Sequence, residues 1–331
     1  MSKMMIIGIF LGLVIGLSLS MIFYTHRINS LSRQIMRKEE IIQRQQEKIK
    51  QLGSLLKEKE DQIKSREKEI EQLKGELEKL EREIDELKNK LKLKTVHKIK
   101  AEIKNEFLVS HLYYQGLAEG GGFWYFSYRN ALFKTNEWFN ETIKALYPAI
   151  PSDLMDAGYD HIGDIDHHEG IIYAPVEDKA YLKPIVILYN ASDLSYIGFI
   201  GPLPQSHLPW VAVDSKGFIY SSEFRDVDEV KVYDKNGILV QIIELNTTLQ
   251  RVQGGCILYD TYLILSTDDG GDWIYAVDIA TGEVYKVIAV RKSVEGEGIE
   301  CKGFTLYFLS GVPSHMPVPS TMYMIEIILE D

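Results

Sequence analysis

The chain changes its hydrophobic rhythm twice. Met4 to Tyr24 reads MMIIGIFLGLVIGLSLSMIFY and contains no charged residue. At 1.5 Å per residue such a run crosses a hydrocarbon core of about 30 Å, so residues 4–24 predict one transmembrane anchor behind a three-residue tail. A cleaved signal peptide is the alternative, because Ser18 and Ser20 form a small-x-small pair. The run is longer than an ordinary signal core and a helical pattern continues out of it, which favours a retained anchor. Gly8, Gly12 and Gly16 recur every four residues, a face on which two such helices can approach closely.

From Ile28 the period becomes seven. Position a is Ile28, Ile35, Ile42, Ile49, Leu56, Ile63, Ile70, Leu77, Ile84 and Leu91. A 3.5-residue repeat held this long predicts a left-handed coiled coil over residues 28–95, a rod of about 100 Å. Position d is polar at Lys38, Gln45, Lys59 and Arg66 and apolar from Leu73 to Leu87, so the membrane-distal part has the clean seam. Isoleucine at a with leucine at d favours a parallel dimer, with a trimer as the alternative. Val96, Ile99 and Ile103 fall out of phase, and residues 96–106 are expected to be a linker.

Beyond residue 107 the texture is that of an all-β domain: short β-branched and aromatic runs separated by Gly, Asp, Asn and Pro. Segments beginning at Tyr113, His161, His207, Arg251 and Glu295 align with one another at spacings of 44 to 48 residues. In the central copies a second strand pair follows each segment, as in EVKVYDKNGILVQIIEL and WIYAVDIATGEVYKVIAV. Each unit is therefore four strands in about 45 residues, and residues 107–331 resemble a β-propeller. The turns in VYDKNGILV and AVDIATGEVYKV look like the outer strands of lactonase-like, NHL-like and phytase-like propellers. The spacing implies five blades, or six if the last strand, MYMIEIILE, closes a further blade with the first segment.

The resemblance implies that the inner strands line a central channel, with ligands at one mouth. On that pattern the candidate ligand-binding residues are Gln115, His161, Asp164, His207, Gln253 and Glu297. Loops between second and third strands carry Glu177, Asp178, Glu223, Asp226, Asp228, Asp268, Asp269 and Asp272. Asp268, Asp269, Asp272 and Glu223 are the candidate oxygen ligands for a hard cation, Ca²⁺, with solvated loop carboxylates as the plainer reading. Asp166, His167 and His168 fall at the far end of their strand. Cys256 and Cys301 lie on neighbouring inner strands and are expected to be two buried thiols.

Charge sharpens the division. Residues 1–104 hold 23 basic and 16 acidic side chains, whereas residues 105–331 hold 14 and 32. So acidic a head excludes a nucleic-acid partner. The basic residues after the anchor lean towards a cytoplasmic stalk, while the short tail and the sequons at Asn140, Asn190 and Asn246 favour an outward-facing head. Together these features predict a membrane-anchored, stalked propeller that binds a surface protein or glycan, more a binder than an enzyme. A Ca²⁺-dependent hydrolase of lactonase-like or phytase-like type and a structural subunit of a surface layer or virion are the alternatives.

Overall fold

The computed structural model describes residues 3–92, 98–290, 295–311 and 318–330. They form two units, which are described separately. The first is α1 (Lys3–Lys92), one unbroken helix of 90 residues. It contains a stretch near its N-terminus long and apolar enough to cross a membrane, a property shared by signal sequences. The side chains at a remain open in the single chain: Ile49 is 68% and Ile70 51% exposed.

The second unit is a five-bladed β-propeller of antiparallel sheets. Blade one is β2 (Gly116–Gly120), β3 (Phe123–Tyr128), β4 (Ala131–Thr135) and β5 (Thr142–Leu146). A short helix, α2 (Ser152–Asp156), precedes blade two. The inner strand of that blade is broken into β6 (Tyr159–Ile162) and β7 (Asp166–His168), followed by β8 (Ile171–Asp178), β9 (Ile185–Asn190) and β10 (Tyr196–Ile200). Blade three is β11 (Ala212–Val213), β12 (Ile219–Ser221), β13 (Val227–Tyr233) and β14 (Leu239–Leu249). Blade four is β15 (Val252–Leu258), β16 (Tyr262–Thr267), β17 (Trp273–Asp278) and β18 (Val284–Ala289). Blade five is β19 (Glu295–Lys302), β20 (Thr305–Gly311), β21 (Ser320–Glu330) and, outermost, β1 (Lys98–Val109).

The ring is closed by this last pairing, in which the first strand of the head lies antiparallel to the last. Two expectations are corrected here. The final strand pairs with β1, upstream of the Tyr113 segment and inside blade five, so no sixth blade forms. Most of the expected linker, Lys98–Glu106, is strand. Ile99, Ala101 and Ile103 lost the heptad phase because they follow a period of two, and they pack against the core shared by blades four and five. Without them the long edge of β21 would have no partner.

Five apolar clusters hold the ring, one between each pair of adjacent blades. Trp210, Tyr189, Tyr233, Phe126 and Phe308 are the largest fully buried side chains. The cysteine expectation is also overturned: Cys256 on β15 and Cys301 on β19 form a disulfide. Inner strands converge towards the axis, and the two Cα atoms are 5.6 Å apart, within bridging distance.

Candidate binding face

The axis of the ring is closed by one side chain. Asp164 lies between β6 and β7 and is 0% exposed. Its Oδ1 accepts the N–H of Leu117 at 3.0 Å, and its Oδ2 accepts those of Gly255 at 3.1 Å and Ile299 at 3.2 Å. Its own N–H donates to the carbonyl of Pro209 at 2.9 Å, and its carbonyl accepts the N–H of Val211 at 3.2 Å. A residue of blade two is thus bonded to each of the other four blades. Glycine is required around it: a Cβ on Gly116 or Gly254 would lie 2.6 Å from a carboxylate oxygen of Asp164. Burial pushes the Asp164 carboxyl well above the ordinary range, while the three N–H donors pull it back. Its expected place at a channel mouth becomes a place inside the closed axis.

Below it, at the far end, Asp166 and Glu300 are each 8% exposed. Asp166 accepts the N–H groups of Val213 at 2.5 Å and His167 at 2.6 Å. Glu300 accepts those of Glu119 at 3.1 Å and Cys301 at 2.7 Å. Burial pushes Asp166 up to about 7. Burial and then the neighbouring charge of Asp166 push Glu300 well up. An acid whose folded pKa is raised adds stability below its unfolded pKa and loses it as pH rises through the folded value. The head is therefore expected to lose on the order of 2 kcal/mol from Asp166 between pH 5 and pH 8. Asp166→Asn should remove that slope by removing the titrating group. Urea melts of the head across this range check it; a flat profile contradicts it.

The loops between second and third strands, with the approaches to the inner strands, form the opposite face, here called the top. His161 and Glu177 are direct cross-strand partners on β6 and β8. Nδ1 of His207 lies 2.5 Å from Oε1 of Glu177, which is only 3% exposed, but off the line of a directed hydrogen bond. The same oxygen accepts the N–H of Leu208 at 2.5 Å. Burial lowers the His161 pKa, and Glu177 only partly restores it, so that ring is neutral. The two histidines one blade apart in sequence are thus brought to a single buried carboxylate.

A stack runs outward from them. The ring of Tyr181 lies 4.6 Å from His207, and His207 lies 5.3 Å from Phe224. The guanidinium groups of Arg225 and Arg251 stand 5.5 Å and 5.6 Å from the Phe224 ring centre. Gln205 holds the loop beneath: it donates to the carbonyl of His207 at 2.6 Å and accepts from Tyr233 Oη at 2.5 Å. Tyr181, Gln205, Phe224, Arg225 and Arg251 escaped the sequence reading because loop residues carry no periodicity. Their one legible signal was position, at the blade-repeated approach or second-to-third-strand loops.

The candidate cation ligands are engaged otherwise. Asp268 forms an ion pair with Arg251. Asp269 accepts the N–H of Gly271 at 3.1 Å and the hydroxyl of Tyr275 at 3.4 Å. Glu223 accepts the N–H groups of Ser206 at 3.0 Å and His207 at 2.8 Å. Asp272 is buried. Among the described residues, no three His, Cys, Asp or Glu side chains are placed to hold one metal ion. Of the remaining candidates, Gln115 and Glu297 are buried and Gln253 is half-buried. Burial, then the charge of Glu295, pushes Glu297 well up, and Tyr114 Oη donates to Glu295 beside it. The three sequon asparagines, Asn140, Asn190 and Asn246, are exposed.

No family model and no curated protein matches the chain. Among solved structures, it is similar to the PQQ-bound aldose sugar dehydrogenase of Streptomyces coelicolor at 10% identity, covering 70% of this chain and 99% of that one, with a TM-score of 0.47. It is also similar to the WD40 β-propeller domain of Doa1, at 9% identity over 64% and 78% of the two chains, with a TM-score of 0.39. A Bacteroides caccae protein of unknown function aligns at 12% identity over 59% and 69%, with a TM-score of 0.40. The sugar dehydrogenase and the WD40 domain are β-propellers, and their ligands are their own.

Proposed function

We propose that this chain is a membrane-anchored binding protein. A coiled-coil stalk carries the propeller, and the top face engages a surface protein or glycan. The observation that carries this reading is the top face itself. The axis is filled by Asp164, whereas Tyr181, His207, Phe224 and two arginines form an outward stack on the loops. The open a positions of α1 favour pairing with a second copy in parallel, which would present two heads together. The disulfide and the three exposed sequons support an outward-facing head, since disulfides persist in oxidising compartments.

One feature favours a second reading. A histidine beside a buried carboxylate suits a general base, so a hydrolase would use His207 and Glu177, with Ca²⁺ held by the loop acids. Binding is preferred because Arg251 already neutralises Asp268.

The test uses the full chain in fluorescent proteoliposomes incubated with cells. Tyr181→Ala with Phe224→Ala should abolish attachment, and Lys235→Ala, on the opposite face, should leave it intact. Ile70→Asn should reduce attachment tenfold or more by loss of paired heads. Attachment indifferent to the top-face pair would refute the reading. A rise in melting temperature with Ca²⁺ beyond that in NaCl of equal ionic strength would shift the balance to the hydrolase.

A further inference from the structure

The top face contains an open cleft of about 700 Å³, displaced from the axis and lined by Arg225, Gln250, Arg251, Asp268, Asp269 and Glu295. Small-molecule pockets of this size are ordinarily lined mostly by apolar side chains, and protein interfaces are anchored by aromatic ones. This cleft is lined by neither. Its wall is a set of hydrogen-bonding groups, so lipids, apolar cofactors and amphipathic helices do not match it.

The charges are mixed and largely answered. Arg251 is paired with Asp268, Glu295 receives Tyr114 Oη, and Asp269 receives Gly271 N–H and Tyr275 Oη. Arg225 is exposed, with its guanidinium over Phe224. A ligand of either net charge meets its own sign at close range. A neutral polyhydroxylated ligand does not, because each hydroxyl both donates to a carboxylate and accepts from a guanidinium or amide.

The groups are also held in place. Gln250 Nε2 donates to Asp226 Oδ1 at 2.8 Å. Arg251 has a left-handed backbone, φ 52°, and its carbonyl accepts the N–H of Asp268 at 2.9 Å. Preorganised side chains lose little rotamer freedom on binding, which matters for a ligand that must compete with water. Nε of Arg251 is buried and has no hydrogen-bond acceptor among the described residues, so the ligand would be met by the outer guanidinium nitrogens.

We propose that this cleft binds a neutral saccharide, through hydroxyls bridged between Arg225 and Arg251 on one side and Asp269 on the other. The proposal rests on the binding-head reading and narrows its partner to a glycan bound off the propeller axis.

The full chain in detergent micelles is applied to an array of neutral, uronic-acid-containing and sulfated oligosaccharides. The strongest neutral binder is then titrated by calorimetry at two salt concentrations. Neutral hexose oligosaccharides are expected to bind, with little change in affinity between the two salts. Asp269→Asn and Arg225→Lys should each weaken binding at least tenfold, with circular dichroism melts confirming that both variants fold. Binding confined to acidic glycans, and lost with salt, would overturn the neutral assignment. Saccharide binding indifferent to both substitutions would overturn the cleft and leave the binding head standing. If no saccharide binds, while cell attachment survives glycosidase and is lost on protease treatment, the partner is a protein and the proposal fails. If cell attachment also proves indifferent to the top face, the binding-head reading fails with it.

Discussion

Asp164→Ala is expected to destabilise the head by on the order of 5 kcal/mol, because it strands three buried N–H donors at a cost of about 1–3 kcal/mol each. Those donors belong to Leu117, Gly255 and Ile299, on three different blades. The loss is a large fraction of an ordinary domain stability of about 5–15 kcal/mol. Repair by local collapse is blocked, since neighbouring inner strands already meet at Gly116 and Gly254. Asp164→Asn should fall between wild type and Ala. One oxygen still accepts, but the amide N–H₂ faces donors, because both carboxylate oxygens receive N–H groups. Urea denaturation followed by tyrosine and tryptophan fluorescence gives the ordering. An Ala variant within 1 kcal/mol of wild type would mean that the five interblade cores hold the ring without the hub.

Removal of the Cys256–Cys301 bridge should be the second large effect. The bridge closes a loop with a sequence separation of 45, worth about 4 kcal/mol in the chain-entropy account. The double variant Cys256→Ala, Cys301→Ala should lower the denaturation midpoint, and wild type in reductant should match it. The pairing of β1 with β21 closes a different loop, the whole head, so it does not replace the bridge. A midpoint unchanged by both treatments would contradict the entropic contribution. The bridge also tests orientation. Thiol labelling of the denatured chain taken from intact cells should find both sulfurs blocked in wild type if the head matures in an oxidising compartment.

Local pattern made much of the architecture legible. The uncharged run at residues 4–24 and the isoleucine and leucine ladder from Ile28 to Leu91 predicted a long helix, and α1 runs unbroken through both. Those features depend only on spacing along one chain. The recurrence from Tyr113 to Glu295 predicted repeated four-strand units, because each blade reuses the same turn chemistry and period of two. The far-end placement of Asp166 to His168 followed from the same alignment.

What required the tertiary structure lies between repeats. Ile99 and Ile103 read as residues out of phase until β21 supplied the edge that makes them a strand. Cys256 and Cys301 are neighbours only because inner strands converge as the ring closes. Asp164 resembled a mouth residue, since its spacing cannot reveal that four other blades direct backbone groups to it. Arg251 could not be assigned to Asp268, nor Phe224 to the stack, because loop contacts depend on where neighbouring blades place their turns. The sequence by itself determined periodicity, and with it the long helix and the blades. Ring closure decided which polar groups are buried at the axis and which remain on the face to meet a ligand, since burial is a property of the whole ring.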